Sequence, residues 1–147
     1  MVPWPPVLGT ANGMRNKGLA RDYLIRARKR LAAVETLYDQ QAWADVVRES
    51  QEIVELVLKA LLRSMKIEVP RIHDVSDILL EHVDQAPAGL RSEINRMATI
   101  SRNLRRDREL AFYGSEDLTP SEFYKKDDAT LALKDVRWLL DTVEREL

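Results

Sequence analysis

The stretch "ADVVRESQEIVELVLKALLRSM", residues 44–65, decides the fold class, because its apolar residues recur at helical spacing. That spacing places one apolar stripe along a helix and leaves the charged residues on the opposite edge. The stripe consists of Val47, Val54, Leu58, Leu61 and Met65, widened by Val57 and Leu62. The stretch therefore predicts a long amphipathic helix that packs against other helices through this stripe.

The rest of the chain repeats the pattern in three further long segments. The spacing predicts helices over about residues 19–38, 90–108 and 127–147. A short helix is predicted for "HDVSDILLEH", residues 73–82, with Asp74 as its cap, and a single turn is predicted after Thr119. Strand-like alternation is absent. We therefore predict an all-α fold, an antiparallel four-helix bundle with an additional short helix, in which residues 1–18 are a mobile leader and residues 19–147 the domain.

Composition places the chain among ordinary globular proteins. It has 147 residues, of which 45% are hydrophobic and 32% charged. It contains no cysteine, which excludes a disulfide framework, a thiolate metal site and a cysteine nucleophile, and which suits a reducing compartment. No apolar run approaches the length of a membrane span, and the N-terminus lacks the pattern of a secretory signal. We therefore expect a cytoplasmic protein without a membrane segment.

The second informative stretch is "SRNLRRDRELAFYG", residues 101–114, which concentrates arginines in a chain whose formal net charge is only −1. On a regular helix, Arg102 lies about 120° and Arg106 about 160° from the centre of the apolar stripe, so both point away from the core. Arg105 lies at the edge of the stripe and Arg108 on it. Arg102, Arg105 and Arg106 share one face, where guanidinium groups suit phosphate oxygens. The alternative is a solvated helix end whose basic residues favour the helix dipole.

Motifs of common enzymes and metal sites are absent from the sequence. There is no HExxH pair, no phosphate-binding Gly loop and no GxGxxG. Of the two histidines, His73 stands beside a predicted cap and His82 ends a short helix, and neither belongs to a nucleophile arrangement in sequence. We therefore predict no metal and no cofactor, and interpret His73 as structural.

Two segments carry a resemblance to the HEPN domain family, "AWADVVRESQEIVELVLKALLRSMKIEVPRIHDVSDILLEH" and "SRNLRRDRELAFYGSEDLTPSEFYKKDDATLALKDV". The resemblance covers roughly residues 19–147. It depends on the order of the helices, on "VELVLKALL", "P..HDV" and "RELAFYG", and on the acidic start of the last helix. It implies an antiparallel helical bundle that commonly forms homodimers. Many HEPN domains are metal-independent endoribonucleases, and others act beside minimal nucleotidyltransferases, including in toxin–antitoxin pairs.

The family's ribonuclease signature is an Arg, then a polar residue that is often Asn, then a His between one and two helical turns beyond the Arg, placed at a dimer interface. Arg102-Asn103 matches its start, but Asp107, Arg108 and Glu109 stand where the His is expected. The resemblance makes Arg102, Asn103 and Asp107 the catalytic candidates. An aspartate is a poor proton donor at neutral pH, so this departure favours binding over cleavage.

The expected function is therefore that of a HEPN-type homodimer that binds RNA, a nucleotide such as ATP, or a minimal nucleotidyltransferase partner, as in a toxin–antitoxin pair. The predicted phosphate-binding residues are Arg102, Arg105, Arg106 and Arg108. Tyr113 is a candidate modification site, because some family members carry a tyrosine near the signature that such a partner adenylylates. Packing of Tyr113 in the bundle is the other interpretation. Two alternative functions are a metal-independent endoribonuclease that acts as a dimer and a purely structural dimeric subunit.

Overall fold

The described part of the chain is built from α-helices. The computed structural model describes the backbone of residues 9–69, 74–113 and 118–147, and the side chains of residues 16–69, 74–106 and 118–147. The helices are α1 (Gly9–Asp39), α2 (Trp43–Ser64), α3 (Val75–Glu81), α4 (Ile94–Tyr113), α5 (Pro120–Phe123) and α6 (Lys126–Glu146), with 3-10 turns at Val83–Gln85 and Arg91–Glu93. These ranges contain no strand. The predicted all-α fold is confirmed, with α3 as the short helix and α5 as the single turn.

Helix α2 is the centre of the bundle, and it contacts each of the other helices. The predicted apolar stripe is buried, and so are Ile53, Leu56 and Ala60, which lie outside it. Even the polar residues Ser50 and Gln51 are buried. The sequence predicted one buried face, but α2 buries most of its circumference because other helices pack on several of its sides.

Helices α1 and α6 run antiparallel beside each other. Tyr38, near the end of α1, shares a 2.8 Å hydrogen bond between side-chain hydroxyls with Thr130, near the start of α6. Arg28, earlier in α1, reaches the carboxylate of Asp141, later in α6, at 2.9 Å. A later residue of α1 thus contacts an earlier residue of α6, which means that the two helices run in opposite directions. The predicted antiparallel arrangement is confirmed for this pair.

Helices α1 and α2 end without a glycine. Gln41 and Lys66 adopt left-handed backbone conformations, with φ of 61° and 63°. At the end of α2, the N–H of Ile67 donates to the carbonyl of Leu62 at 2.9 Å and the N–H of Lys66 to that of Arg63 at 3.0 Å. This is the Schellman pattern, whose left-handed position glycine usually takes. No glycine marks these two ends, but the apolar periodicity predicted them at residues 38 and 65, each within one residue of the end in the structure.

Two helices extend beyond their predicted limits. Helix α1 begins at Gly9 rather than near residue 19, and α4 continues to Tyr113 rather than ending near residue 108. No proline follows Pro6 until Pro70, so no residue in this stretch removes a backbone donor and prevents an early start. Helix therefore occupies part of the predicted leader, while the domain boundary at residue 18 stays a prediction.

The two short helices carry the caps that the sequence predicts. Asp74 accepts a hydrogen bond from the backbone N–H of Ser76 at 2.9 Å and starts α3. Thr119 and Glu122 form a reciprocal capping box at α5, with Pro120 in the first turn. The cap at Asp74 matters most for the site, because α3 lies against α4.

Candidate functional site

The candidate site is the outward surface of α4 between residues 102 and 106. Ser101 and Leu104 are buried, and they fix which side of α4 faces the core. The remaining residues of this stretch are exposed, and we call them the arginine face: Arg102, Asn103, Arg105 and Arg106. The predicted outward orientation of Arg102 and Arg106 is confirmed, while phosphate binding by this face stays a prediction.

The short helix α3 supplies two carboxylates to the arginine face. Nη2 of Arg102 lies 2.6 Å from Oδ1 of Asp77, and Nη1 of Arg105 lies 3.1 Å from Oδ1 of Asp74. The two pairs show that α3 and α4 run antiparallel here, with acids and arginines both spaced three residues apart, on one face of each helix. Sequence reasoning missed both acidic partners. The equal spacing was the available signal, but it has meaning only once α3 is known to lie against α4.

Asp74 is held by several donors at once. Its Oδ1 accepts hydrogen bonds from the backbone N–H of Ser76 at 2.9 Å and from the Ser76 hydroxyl at 2.7 Å, in addition to its contact with Arg105. Partial burial acts to raise the pKa of Asp74, but the Ser76 hydrogen bonds and the charge of Arg105 prevail and lower this pKa below its ordinary value. Asp74 therefore stays ionised and ties Arg105 to the start of α3.

Asp77 is held much less firmly than Asp74. Its side chain is 59% exposed, compared with 27% for Asp74, and it contacts Arg102 through one oxygen and one nitrogen. A solvated ion pair of this kind contributes between about 0 and 1 kcal/mol. Arg102 is thus held loosely by an exposed acid, whereas Arg105 is held by a helix cap.

Several predicted residues cannot be placed beside this face. Asp107, Arg108 and Tyr113 belong to the backbone of α4, but their side chains lie outside the described residues. Their proposed roles as a catalytic candidate, a phosphate ligand and a modification site therefore stay predictions.

His82 does not join the arginine face. His82 is the C-cap of α3, and its Nδ1 lies 2.9 Å from the carbonyl oxygen of Ile78. The opposite end of α3 is the one that carries Asp74, and His73 lies outside the described residues. Within the described ranges, no three His, Asp or Glu side chains converge as a metal ion would require. The chemistry available at the face is that of guanidinium groups, which bind phosphate through paired N–H donors.

Two surface depressions lie along α6 rather than at the arginine face. One has a volume of about 320 Å³ and is lined by residues that include Glu35, Tyr38 and Lys134. The other, of about 680 Å³, lies around Trp138 and Thr142. None of their described lining residues belongs to α4. The arginine face belongs to neither depression, and its four side chains are exposed.

Comparison with known proteins identifies one family. A family model described as HEPN domain matches residues 20–146, nearly the whole chain. The resemblance predicted from the sequence is thereby confirmed. No curated protein and no solved structure matches the chain. Of the helices in the described ranges, none has both the length and the apolar character that crossing a bilayer requires.

Proposed function

The chain belongs to the HEPN domain family, and from this membership we propose that it is a dimeric domain whose arginine face binds the phosphate groups of RNA or of a nucleotide. HEPN domains are helical domains with nucleotide- or RNA-related roles, and they commonly dimerise. One observation carries the proposal: three exposed arginines stand on one surface of α4. Guanidinium groups so spaced can engage neighbouring phosphate oxygens with charge-assisted hydrogen bonds.

Single-stranded RNA is the first ligand that we propose, with ATP as the comparison. The arginine face is exposed and spans about one turn of α4, and an RNA strand offers a row of phosphates that can reach more than one of its arginines. ATP offers a compact set of phosphates, which fits fewer guanidinium groups at once. The proposed order of affinity is therefore RNA before ATP.

Binding without efficient cleavage is the proposed outcome at this face. Arg102 and Asn103 match the start of the family's ribonuclease signature, but no histidine follows where the signature requires one. An arginine can stabilise charge on phosphorus, whereas proton transfer needs a group that titrates near neutrality. The endoribonuclease alternative therefore requires another proton donor, and Asp107 is the candidate within the motif.

The proposed protein partner is a minimal nucleotidyltransferase, as in the toxin–antitoxin pairs that contain HEPN domains, and the proposed compartment is the cytoplasm. The cysteine-free sequence is compatible with a reducing compartment. Tyr113 would be the residue that such a partner adenylylates. Co-expression with a nucleotidyltransferase encoded beside this chain, followed by mass spectrometry, tests both ideas. Separate elution of the two proteins and an unmodified Tyr113 would contradict them.

The central experiment is a titration of a short single-stranded RNA and of ATP against the wild type, Arg102→Ala and Arg106→Ala. Loss of a bidentate guanidinium–phosphate contact should weaken binding by about 1.5–3 kcal/mol. Arg26→Ala is the matched control, because Arg26 is exposed on α1, away from α4, and it should leave the affinity unchanged. RNA binding should also fall as salt rises, because phosphate contacts release counterions.

The outcomes separate the three functions. Equal affinities for the wild type and both α4 variants, or no binding at low salt, would contradict the proposal and favour a structural subunit. Rapid RNA cleavage by the wild type in the presence of a metal chelator would favour the endoribonuclease. Light scattering that shows a monomer at micromolar concentration would contradict the proposed dimer.

A further inference from the structure

Asp77 occupies one of the N–H groups of Arg102 that a ligand phosphate could use. Its Oδ1 accepts a hydrogen bond from Nη2 of Arg102 at 2.6 Å. Carboxylate and phosphate oxygens accept the same guanidinium donors with the same charge-assisted geometry. The N–H group that Asp77 engages is therefore withheld from any second acceptor, and a phosphate that needs this group must first displace Asp77.

We propose that Asp77 is an internal competitor for Arg102, and that a ligand phosphate binds by displacing the Asp77 carboxylate while Asp74 keeps Arg105 in place. This inference rests on the proposed function, since it concerns the regulation of the same phosphate-binding face. It makes α3 the element that sets how readily the arginine face accepts an anion.

The two acids of α3 differ in the way that such an exchange requires. Asp77 is 59% exposed, so its carboxylate is solvated by water as soon as it leaves Arg102. Asp74 also accepts hydrogen bonds from the N–H and the hydroxyl of Ser76, so it cannot leave without removing the cap of α3. Displacement of Asp77 therefore requires the movement of one side chain and leaves α3 intact.

The competition also selects among anionic ligands. A ligand with a single carboxylate would replace one carboxylate at Arg102 with another and gain little. A phosphate group offers more acceptor oxygens, and the successive phosphates of RNA can engage Arg106, and the nitrogens of Arg105 other than the Nη1 that Asp74 holds, in the same event. The internal acid therefore suppresses weak binding by simple carboxylates and permits binding by phosphate polyanions.

The test is Asp77→Asn, which removes the charge and keeps a side chain of the same size. A short single-stranded RNA is titrated at low salt against the wild type, Asp77→Asn, Arg102→Ala and the double variant. Asp77→Asn should bind RNA about two- to fivefold more tightly than the wild type, the scale of an exposed ion pair. The same substitution should change the affinity little in the Arg102→Ala background, because the competitor has lost its target. The gain should shrink as salt rises, because salt screens exposed charges.

Glu81→Gln is the matched control, since Glu81 lies exposed on the same helix and its substitution removes the same charge. It should give a smaller gain than Asp77→Asn. Equal gains from the two substitutions would overturn the proposal, because a general change of charge would then explain both. Asp77→Ser provides a second variant without the carboxylate, and thermal melts recorded in parallel confirm that each protein is folded.

The outcomes also separate this inference from the proposed function. If Arg102→Ala weakens RNA binding but Asp77→Asn leaves it unchanged or weaker, the proposal that Asp77 competes with the ligand is overturned. The proposal that the arginine face binds phosphate is then supported. Asp77 would then hold Arg102 in its binding orientation. If neither the wild type nor Asp77→Asn binds RNA or ATP, both the proposed function and the proposed competition by Asp77 are overturned.

Discussion

Two groups of ion pairs in the described residues, one between α1 and α6 and one between α3 and α4, hold their arginines differently. Between α1 and α6, Arg28 donates from Nε and Nη2 to the two carboxylate oxygens of Glu144, at 3.2 and 2.7 Å, and from Nη2 to Asp141 at 2.9 Å. The hydrogen bonds to Glu144 and then to Asp141 raise the pKa of Arg28 above its ordinary value. We call this group of three residues the α1–α6 seam.

In the α3–α4 seam, formed by Asp74, Asp77, Arg102 and Arg105, each arginine pairs with one carboxylate among the described residues. Arg102 contacts one oxygen of Asp77, although its side chain is 49% exposed, much like Arg28 at 45%. Exposure therefore does not distinguish the two arginines, but the number of carboxylates does. An arginine that binds two carboxylates links its two helices, whereas an arginine with one exposed carboxylate partner can exchange that partner for a ligand.

The helices of both seams pack against the central helix α2, so the largest loss of stability is expected from a substitution in α2. Leu58 is fully buried, and Leu58→Ala should lower the free energy of unfolding by about 2–5 kcal/mol, because it removes buried methyl groups and leaves a cavity. Leu131→Ala is the control, since Leu131 is 59% exposed on α6 and its truncation should change stability by less than about 0.5 kcal/mol. Urea denaturation measures both. Similar losses for the two variants would contradict the central position of α2.

The second largest effect should come from the cap in the α3–α4 seam. Asp74→Ala removes the acceptor for Ser76 and the counter-ion of Arg105 together, and loss of an N-cap lowers the free energy of unfolding by about 0.5–2 kcal/mol. Asp74→Asn keeps a side-chain oxygen that can cap, so it should retain most of the stability. Urea denaturation of both variants distinguishes the two contributions. Equal losses would show that the charge beside Arg105, and not the cap, stabilises α3.

The next largest loss of stability is expected from a substitution in the α1–α6 seam. Arg28→Ala leaves Asp141 and Glu144 side by side without their shared cation. We expect the free energy of unfolding to fall by about 1 kcal/mol, the upper end for exposed ion pairs, because Arg28 grips Glu144 with two nitrogens. The loss should diminish at high salt. Arg26→Ala, on the exposed side of the same helix, should change stability little, and a matching loss there would mean that helix propensity rather than the seam is responsible.

A smaller change in stability is expected when the pH is lowered. Folding lowers the pKa of Asp74, because the Ser76 hydrogen bonds and the charge of Arg105 outweigh the opposing effect of burial. A carboxyl group of this kind adds stability that is fully present above its unfolded pKa of about 3.9 and is lost as the pH falls through its lower folded pKa. The stability difference between the wild type and Asp74→Asn should therefore shrink below about pH 4. Urea midpoints compared at neutral and acid pH measure it, and a constant difference would contradict the assigned cause.

Much of the fold could be predicted from the sequence, because helical periodicity is a local property. It identified the four long helices and the cap at Asp74. It did not identify the start of α1 at Gly9 or the continuation of α4 to Tyr113. Nor did it predict the burial of Ile53 and Leu56, which follows from the packing of several helices around α2. A periodic pattern shows which residues share a face, but not how many faces are covered.

The candidate site could be predicted only in part, because the carboxylates that pair with its arginines belong to another helix. The exposure of Arg102 and Arg106 follows from their angles relative to the apolar stripe, and it is confirmed. The pairing of Arg102 with Asp77 depends on how α3 lies against α4, which no local pattern contains. From sequence, the arginines were expected either to be solvated or to hold a ligand. The structure adds a third state, in which Arg102 and Arg105 already hold carboxylates of the same chain.

The smallest effect on stability is expected at Arg102, a residue whose loss is proposed to weaken ligand binding. Arg102→Ala breaks an ion pair that is exposed on both sides and removes nothing from the core. It should therefore change the free energy of unfolding by less than about 0.5 kcal/mol, and the slightly better helix propensity of alanine offsets part of that. Urea denaturation of Arg102→Ala and Arg28→Ala in one buffer compares the two seams directly. A loss at Arg102 as large as that at Arg28 would make Asp77–Arg102 a structural link like the α1–α6 seam, and Arg102 would no longer qualify as an arginine that exchanges its partner for a phosphate.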